Sequence, residues 1–154
     1  MKVIVIGPRG KMGKLITQVA AERDDMELVA GVAPAGRDYV GQDLGMVALI
    51  GRNLGVPVVD DLAAVIDGCD VIIDFSTREN ALKVLDLAVK HGKALVCGTT
   101  GFSEEEFARF KEAAKTIPML YAANTSKLVN IMNKLLEMVT KTLGEDVDIE
   151  ILEM

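Results

Sequence analysis

Met1-Lys-Val-Ile-Val-Ile-Gly-Pro-Arg-Gly-Lys-Met-Gly13 opens the chain. Val3 to Ile6 form a short β-branched apolar run, suited to a strand buried on both faces. Gly7, Gly10 and Gly13 follow at three-residue spacing, with Pro8, Arg9, Lys11 and Met12 between them. Met12, Leu15, Ile16, Val19 and Ala20 then repeat at helical spacing, which predicts a helix packed on the sheet through that face. Strand, glycine turn and helix in succession aim free amide N–H groups and a helix dipole's positive end at one point, the arrangement that binds pyrophosphate. The expectation is a dinucleotide site at the start of the chain. The spacing is G-x-x-G-x-x-G rather than the usual G-x-G-x-x-G. A tight turn also needs glycine for positive φ whether or not it binds anything. Arg9 and Lys11 place positive charge where phosphate would sit, or else are two solvated loop cations.

A chain of 154 residues predicts one domain, long enough to bury a real core. Half of it is hydrophobic and Trp is absent, so that core is built from Val, Ile, Leu, Ala and Met. A net charge of −6 argues against a general nucleic-acid or membrane-surface binder. No apolar run approaches a membrane span and no leader precedes the first strand, so the expected location is the cytoplasm. Cys69 and Cys97 stand alone in apolar segments and read as buried free thiols. His91, the sole histidine, precedes Gly92 and reads as a helix end, and no cluster suggests a metal.

Glu27 to Ala33 reads as a second strand. Where such a strand ends, a dinucleotide site normally places an acid on the adenosine ribose. Ala33 and Pro34 stand there instead, and Arg37 follows as a candidate for a 2′-phosphate or as a solvated loop charge, which leans the reading towards NADPH. Residues 34–56 carry five glycines without periodicity and predict a long loop with one short element near Met46 to Ile50. Pro57 to Val59 is a brief third strand, followed by a short helix capped by Asp60 or Asp61 and running to Ile66. Asp70 to Phe75 is the fourth strand, and Ser76 with Glu79 matches a capping box for the helix that ends at Gly92. Lys93 to Cys97 is the fifth strand, entering Gly98-Thr-Thr-Gly101. Ser103 with Glu106 makes another capping box, with Phe102 and Phe107 as a hydrophobic staple, for a helix to about Lys115. Ile117 to Ala122 is the sixth strand. Ser126 caps a long helix ended by Gly144, and Asp148 to Met154 alternates like a half-exposed strand. The fold class is therefore α/β, a doubly wound, mostly parallel Rossmann-type sheet with helices on both faces. Ligands bind such sheets at the strands' carboxyl ends, so Asp-Phe-Ser-Thr and Gly-Thr-Thr-Gly belong on one rim with the first glycine turn.

Four blocks, Val5–Gly13, Asp74–Thr77, Cys97–Phe102 and Ala122–Ser126, together resemble the 4-hydroxy-tetrahydrodipicolinate reductase family, formerly called dihydrodipicolinate reductase, of the diaminopimelate and lysine pathway. The resemblance implies a dinucleotide-binding domain over 1–125, then a connecting helix and the first strand of a substrate domain over 126–154. It implies reduction of 4-hydroxy-tetrahydrodipicolinate, a small dicarboxylate, to tetrahydrodipicolinate by NADPH or NADH, in a homo-oligomer that is a tetramer in the full-length family. Gly7, Pro8, Arg9, Gly10, Lys11 and Met12 would hold the pyrophosphate, and Ala33 and Pro34 occupy the adenosine-ribose positions. Phe75, Ser76 and Thr77 would approach the cofactor. Gly98, Thr99 and Thr100 would line the nicotinamide, and Ala122, Ala123, Asn124 and Thr125 would close its pocket near the hinge.

Two departures stand out. Lys127-Leu-Val-Asn130 replaces the family's aliphatic-Gly-Val-Asn run, and the His-His…Lys block and Ser-Gly-Thr turn that supply the proton donor and substrate grip have no counterpart. No catalytic residue is assigned. The expectation is a partial chain of that reductase or a natural short paralogue, binding nucleotide and turning over little alone. The readings left open are a non-catalytic nucleotide-binding module and, less well matched, a methyltransferase with a Gly-rich first turn.

Overall fold

Residue parity along the apolar strands divides their side chains between two cores. Ile4, Ile6, Ile72, Leu95 and Cys97 fall into one cluster, whereas Val3, Val5 and Val71 fall into another with Ile73 and Val96. That split is what a sheet covered on both sides requires. The computed structural model describes residues 1–150 and 152. The strands are β1 (Lys2–Ile6), β2 (Glu27–Val32), β3 (Val58–Val59), β4 (Val71–Asp74), β5 (Ala94–Cys97) and β6 (Met119–Tyr121). They pair in the order β3-β2-β1-β4-β5-β6, and every pairing is parallel. The sheet is thus wholly rather than mostly parallel. Its winding reverses between β1 and β4, the point where open α/β sheets leave a crevice at the strands' carboxyl ends.

Helix α1 (Lys11–Ala21) covers one face and helices α3 (Arg78–Lys90) and α4 (Glu104–Ala113) the other. Against expectation, α1 packs through Gly13, Ile16, Thr17 and Ala20, while Met12, Leu15 and Val19 are left exposed. Thr17 is completely buried because its hydroxyl donates to the Gly13 carbonyl at 2.7 Å, which satisfies it without any outside partner. Helix α3 is capped by Thr77, which accepts from the Asn80 amide, and not by Ser76. The capping box of α4 forms as expected between Ser103 and Glu106. Phe102 and Phe107 both lean on the buried Phe110, at 4.7 and 6.5 Å between ring centroids, and Tyr121 completes the cluster.

The glycine-rich stretch after β2 has more order than its composition suggests. Helix α2 (Leu44–Val47) begins slightly earlier than expected, capped by Asp43. The two Asp43 oxygens accept four amides, from Gly45, Leu54, Gly55 and Val56, at 2.8–3.3 Å. Partial burial works to raise this carboxyl's pKa, but the four amides outweigh it and hold the group below its ordinary value. The helix expected up to Ile66 is instead a series of turns ending in a single 3₁₀ turn over Ile66–Gly68.

Residues Asn124–Met154 form a separate compact unit, distinct from Met1–Ala123. Its helix α5 (Lys127–Leu143) is capped by Ser126 and stops at Gly144, whose φ is 59°. No residue of α5 is buried. Residues 148–150 do not form the expected strand, and most of its remainder lies outside the described residues.

Three outcomes follow. Phe110→Ala is expected to cost about 3–5 kcal/mol in urea unfolding, because it empties the centre of the aromatic cluster. Asp43→Ala should cost about 2–4 kcal/mol by leaving several amides unpaired. Since the Asp43 pKa is lowered in the folded chain, that deficit should be full above the ordinary carboxylate range and shrink as the pH is taken down through it. Cys69 and Cys97 are buried free thiols, and burial pushes Cys97 up to about 11, so neither should react with iodoacetamide at neutral pH until the chain is unfolded.

Candidate functional site

The turn between β1 and α1 is shaped by the absence of side chains. Gly7 has φ 67°, which an L-residue rarely adopts, and its carbonyl accepts from the Gly10 amide at 3.0 Å. A Cβ on Gly13 would collide with the Gly7 carbonyl, so only glycine lets α1 sit this close to the end of β1. Gly10 occupies the N-cap and supplies no side-chain cap. The Lys14 amide reaches the Gly10 carbonyl, but those of Lys11, Met12 and Gly13 meet no acceptor among the described residues. Three neighbouring donors at a helix N-terminus, unclaimed by the protein, make an anion cradle. Lys11 is exposed beside it. Arg9 is held outward, donating to Asp38 at 2.8 Å and lying 4.9 Å from the Tyr39 ring centre.

A cavity of about 660 Å³ opens next to this turn, in the range typical of small-molecule sites. Gly7 and Gly10 form one edge, and Phe75, Ser76 and Thr77 another. Ala33, Pro34, Ala35 and Tyr39 line it after β2, Asp60 and Asp61 after β3, and Asn80, Lys83, Val84 and Leu87 along α3. Ala33 and Pro34 thus line the cavity just past the end of β2, and neither offers a carboxylate. Arg9, Lys11, Met12 and Arg37 are exposed and do not line the cavity.

The turns after β4 and β5 interlock. The Phe75 ring fills the space a Gly98 side chain would need, so any substitution there displaces it. Thr99 is buried: its hydroxyl accepts from the Ser76 amide at 3.0 Å and donates to Asp74 at 3.5 Å. Thr100 is exposed. Gly98, Thr99 and Thr100 are not part of the cavity wall, but the parallel pairing sets them on the same sheet edge as the glycine turn. Ala122 and Ala123 follow β6 further along that edge, with the Ala122 amide donating to Cys97. Asn124 and Thr125 belong to the second unit, in which Asn124 accepts from the Ser126 amide.

Several site-edge residues escaped the sequence reading. Asp60 and Asp61 read there only as helix caps, and Tyr39, Asn80 and Lys83 had no motif around them. Asp74 had a signal, an acid ending an otherwise apolar strand, and it is completely buried. His91 is a helix end whose Nδ1 lies 2.8 Å from Asp67, and this contact with the His91 ring holds the Asp67 carboxyl below its ordinary value. Among the described residues no three acidic, His or Cys groups gather as metal ligands, and no helix is long and apolar enough to cross a membrane.

Comparison with known proteins agrees with this geometry. Residues 1–125 match the family model described as dihydrodipicolinate reductase, N-terminus. The chain is 46% identical over 154 residues to the 4-hydroxy-tetrahydrodipicolinate reductase of Geobacter metallireducens, covering 100% of this chain and 57% of that one. It is 41% identical over 152 residues to the Hahella chejuensis reductase, again covering 57% of that protein. It thus spans little more than half the length of the curated relatives it matches. Among solved structures, the dipicolinate-bound dihydrodipicolinate reductase of Paenisporosarcina sp. TG-14 superposes with a TM-score of 0.73 at 26% identity, over 91% of this chain and 53% of that one. A probable dehydrogenase from Thermotoga maritima shares the fold alone, with a TM-score of 0.63 at 18% identity over 94% of this chain and 43% of its own. By the family match over most of its length and the identity of its relatives, the chain belongs to the dihydrodipicolinate reductase family, whose N-terminal part it carries.

Proposed function

We propose that the glycine turn and the cavity beside it bind a pyridine dinucleotide, NADPH or NADH, and that this part serves the reduction of 4-hydroxy-tetrahydrodipicolinate to tetrahydrodipicolinate. The observation that carries the reading is the trio of unclaimed amides at Lys11, Met12 and Gly13, set at the start of a helix behind a side-chain-free turn. The residues present fit such a group. The amides with Gly7, Pro8 and Gly10 would hold its pyrophosphate and Lys11 would add positive charge beside it, whereas Arg9 is turned outward onto Asp38. Ala33, Pro34 and Arg37 are assigned to the adenosine ribose, where the missing carboxylate favours NADPH over NADH.

The rest of the assignment follows the sheet edge. Phe75, Ser76 and Thr77 form the wall facing the glycine turn, and Gly98, Thr99 and Thr100 give the nicotinamide side its shape. Ala122 and Ala123 are assigned to the closure of that side. The bound group supplies the hydride. The protein's own contribution here is orientation and exclusion of water, the terms that a preorganised site provides. The dicarboxylate substrate and a homo-oligomeric assembly are assigned to the longer family protein, with dipicolinate bound to the Paenisporosarcina relative as support for the substrate class.

Titrating NADPH and NADH into the 154-residue chain while following nicotinamide fluorescence should give saturable binding, and its absence would overturn the reading. Lys11→Ala should weaken binding roughly 3–10-fold, with the deficit fading at high salt. Gly98→Ala should weaken it at least about 10-fold by evicting the Phe75 ring, and the loss should persist at high salt because it is steric. Reduction assayed beside a full-length family enzyme should show little turnover by these residues alone.

A further inference from the structure

Asp74 ends β4 in register with Ile6 of β1 and Cys97 of β5, and none of its surface reaches solvent. A carboxyl in such a place has lost its hydration and needs partners in return. It has few. Oδ1 has no hydrogen-bond partner among the described residues, Oδ2 accepts the Thr99 hydroxyl at 3.5 Å and, more distantly, the Cys97 thiol at 4.0 Å, and the Ser76 hydroxyl and amide lie close enough to pull on the same carboxyl. For folding alone, an apolar side chain of similar volume would serve this position better. A side chain that is costly to the fold and sits at the ligand edge of the sheet is a candidate for a role in the site.

That role can be traced atom by atom. The Thr99 hydroxyl has one proton to give and lone pairs to offer. Its oxygen accepts from the Ser76 amide at 3.0 Å, so its proton must go elsewhere, and Asp74 is the acceptor present. We propose that Asp74 is a positioning residue for the nucleotide site: by accepting the Thr99 proton it turns the hydroxyl oxygen towards the Ser76 amide and clamps the turn after β4 to the turn after β5. The inference rests on the nucleotide-binding reading above, because both clamped turns are assigned there to the cofactor. Its consequence is geometric. Ser76 follows Phe75, whose ring lies against Gly98, and Gly98 adjoins Thr99, so the clamp and the ring contact act beside the Gly98 amide's bond to the Asp74 carbonyl at 2.9 Å in setting the spacing of the two turns. Without the acceptor, the hydroxyl is free to rotate and the Ser76 amide loses its fixed partner.

Burial pushes the Asp74 carboxyl up, against the opposing pull of the Ser76 and Thr99 groups. The other titratable group beside it is Cys97, whose thiol is likewise pushed up by burial.

The test compares Asp74→Asn, Asp74→Ala, Thr99→Ser and Thr99→Val in the full chain, by NADPH and NADH titration and by thermal melting. Asp74→Asn keeps an acceptor oxygen and Thr99→Ser keeps the hydroxyl, so each should bind within about 3-fold of the native chain. Asp74→Ala and Thr99→Val should each weaken binding at least about 10-fold, and the double variant should be no weaker than either alone, since both break one clamp. Asp74→Asn should also melt higher than the native chain at neutral pH. Because the folded carboxyl is raised, the advantage should disappear as the pH falls below the ordinary carboxylate range, where the native group is protonated whether folded or unfolded. Native-like binding by both Asp74→Ala and Thr99→Val would overturn the clamp and leave the nucleotide reading standing, and so would fully additive losses. Should Asp74→Ala fail to fold, the pair Thr99→Val and Thr99→Ser decides the matter through the same hydroxyl. If the native chain binds neither nucleotide, both readings fall.

Discussion

Helix α1 reaches the end of β1 because nothing projects from Gly13 into the Gly7 carbonyl. This contact between two backbones is the constraint from which the rest of the edge follows. With the helix this close, its first amides lie at the carboxyl ends of the strands and find no partner among the described residues. Polar donors that the protein does not satisfy are a standing cost. They are tolerable at the rim of a cavity where water or an anion can meet them. A methyl group at position 13 would push the helix away and dissolve the cradle, whatever the rest of the sequence did.

The same logic of close approach recurs across the switch point. The Phe75 ring lies where a Gly98 side chain would be, so the turns after β4 and β5 are spaced by a ring seated against a bare backbone. Beneath that contact runs the short chain of carboxyl, hydroxyl and amide through Asp74, Thr99 and Ser76. Packing and hydrogen bonding thus act on one joint, and each limits a motion the other permits: the ring contact resists approach of the turns, and the hydrogen bonds resist their separation. A site assembled from strand ends needs such ties in addition to the backbone bonds between neighbouring strand ends, such as the Gly98 amide on the Asp74 carbonyl.

The two units treat apolar surface differently. In Met1–Ala123 the strands and helices α3 and α4 bury a shared core, and on the opposite face the buried Thr17 hydroxyl is bonded within its own helix. In Asn124–Met154, helix α5 has a strong apolar face and no buried residue. Its start is fixed locally by the Ser126 hydroxyl, which accepts from the Val129 amide.

Much of the architecture was legible in the residues themselves. The β-branched runs at Val3–Ile6 and Val71–Ile73, the glycines at 7, 10 and 13, and the capping box at Ser103 and Glu106 are local signals. They depend on backbone sterics and short-range hydrogen bonds, and so survive without knowledge of the fold. The four motif blocks carried the family in the same way, since each marks the end of a strand. Other features needed three dimensions. Asp43 looks like any loop acid until Leu54, Gly55 and Val56 fold back onto it, and those partners are eleven or more residues away. Periodicity alone could not choose the buried face of α1, because Met12, Leu15 and Val19 are as apolar as the residues that do pack; the demand for contact at Gly13 made the choice. Nor could composition tell that Thr99 is a buried tie and Thr100 an exposed neighbour, or that Ser76 would yield the cap of α3 to Thr77. In each case the deciding partner comes from a distant segment or from the exact rotation of a helix on the sheet, and both are set only when the whole domain closes.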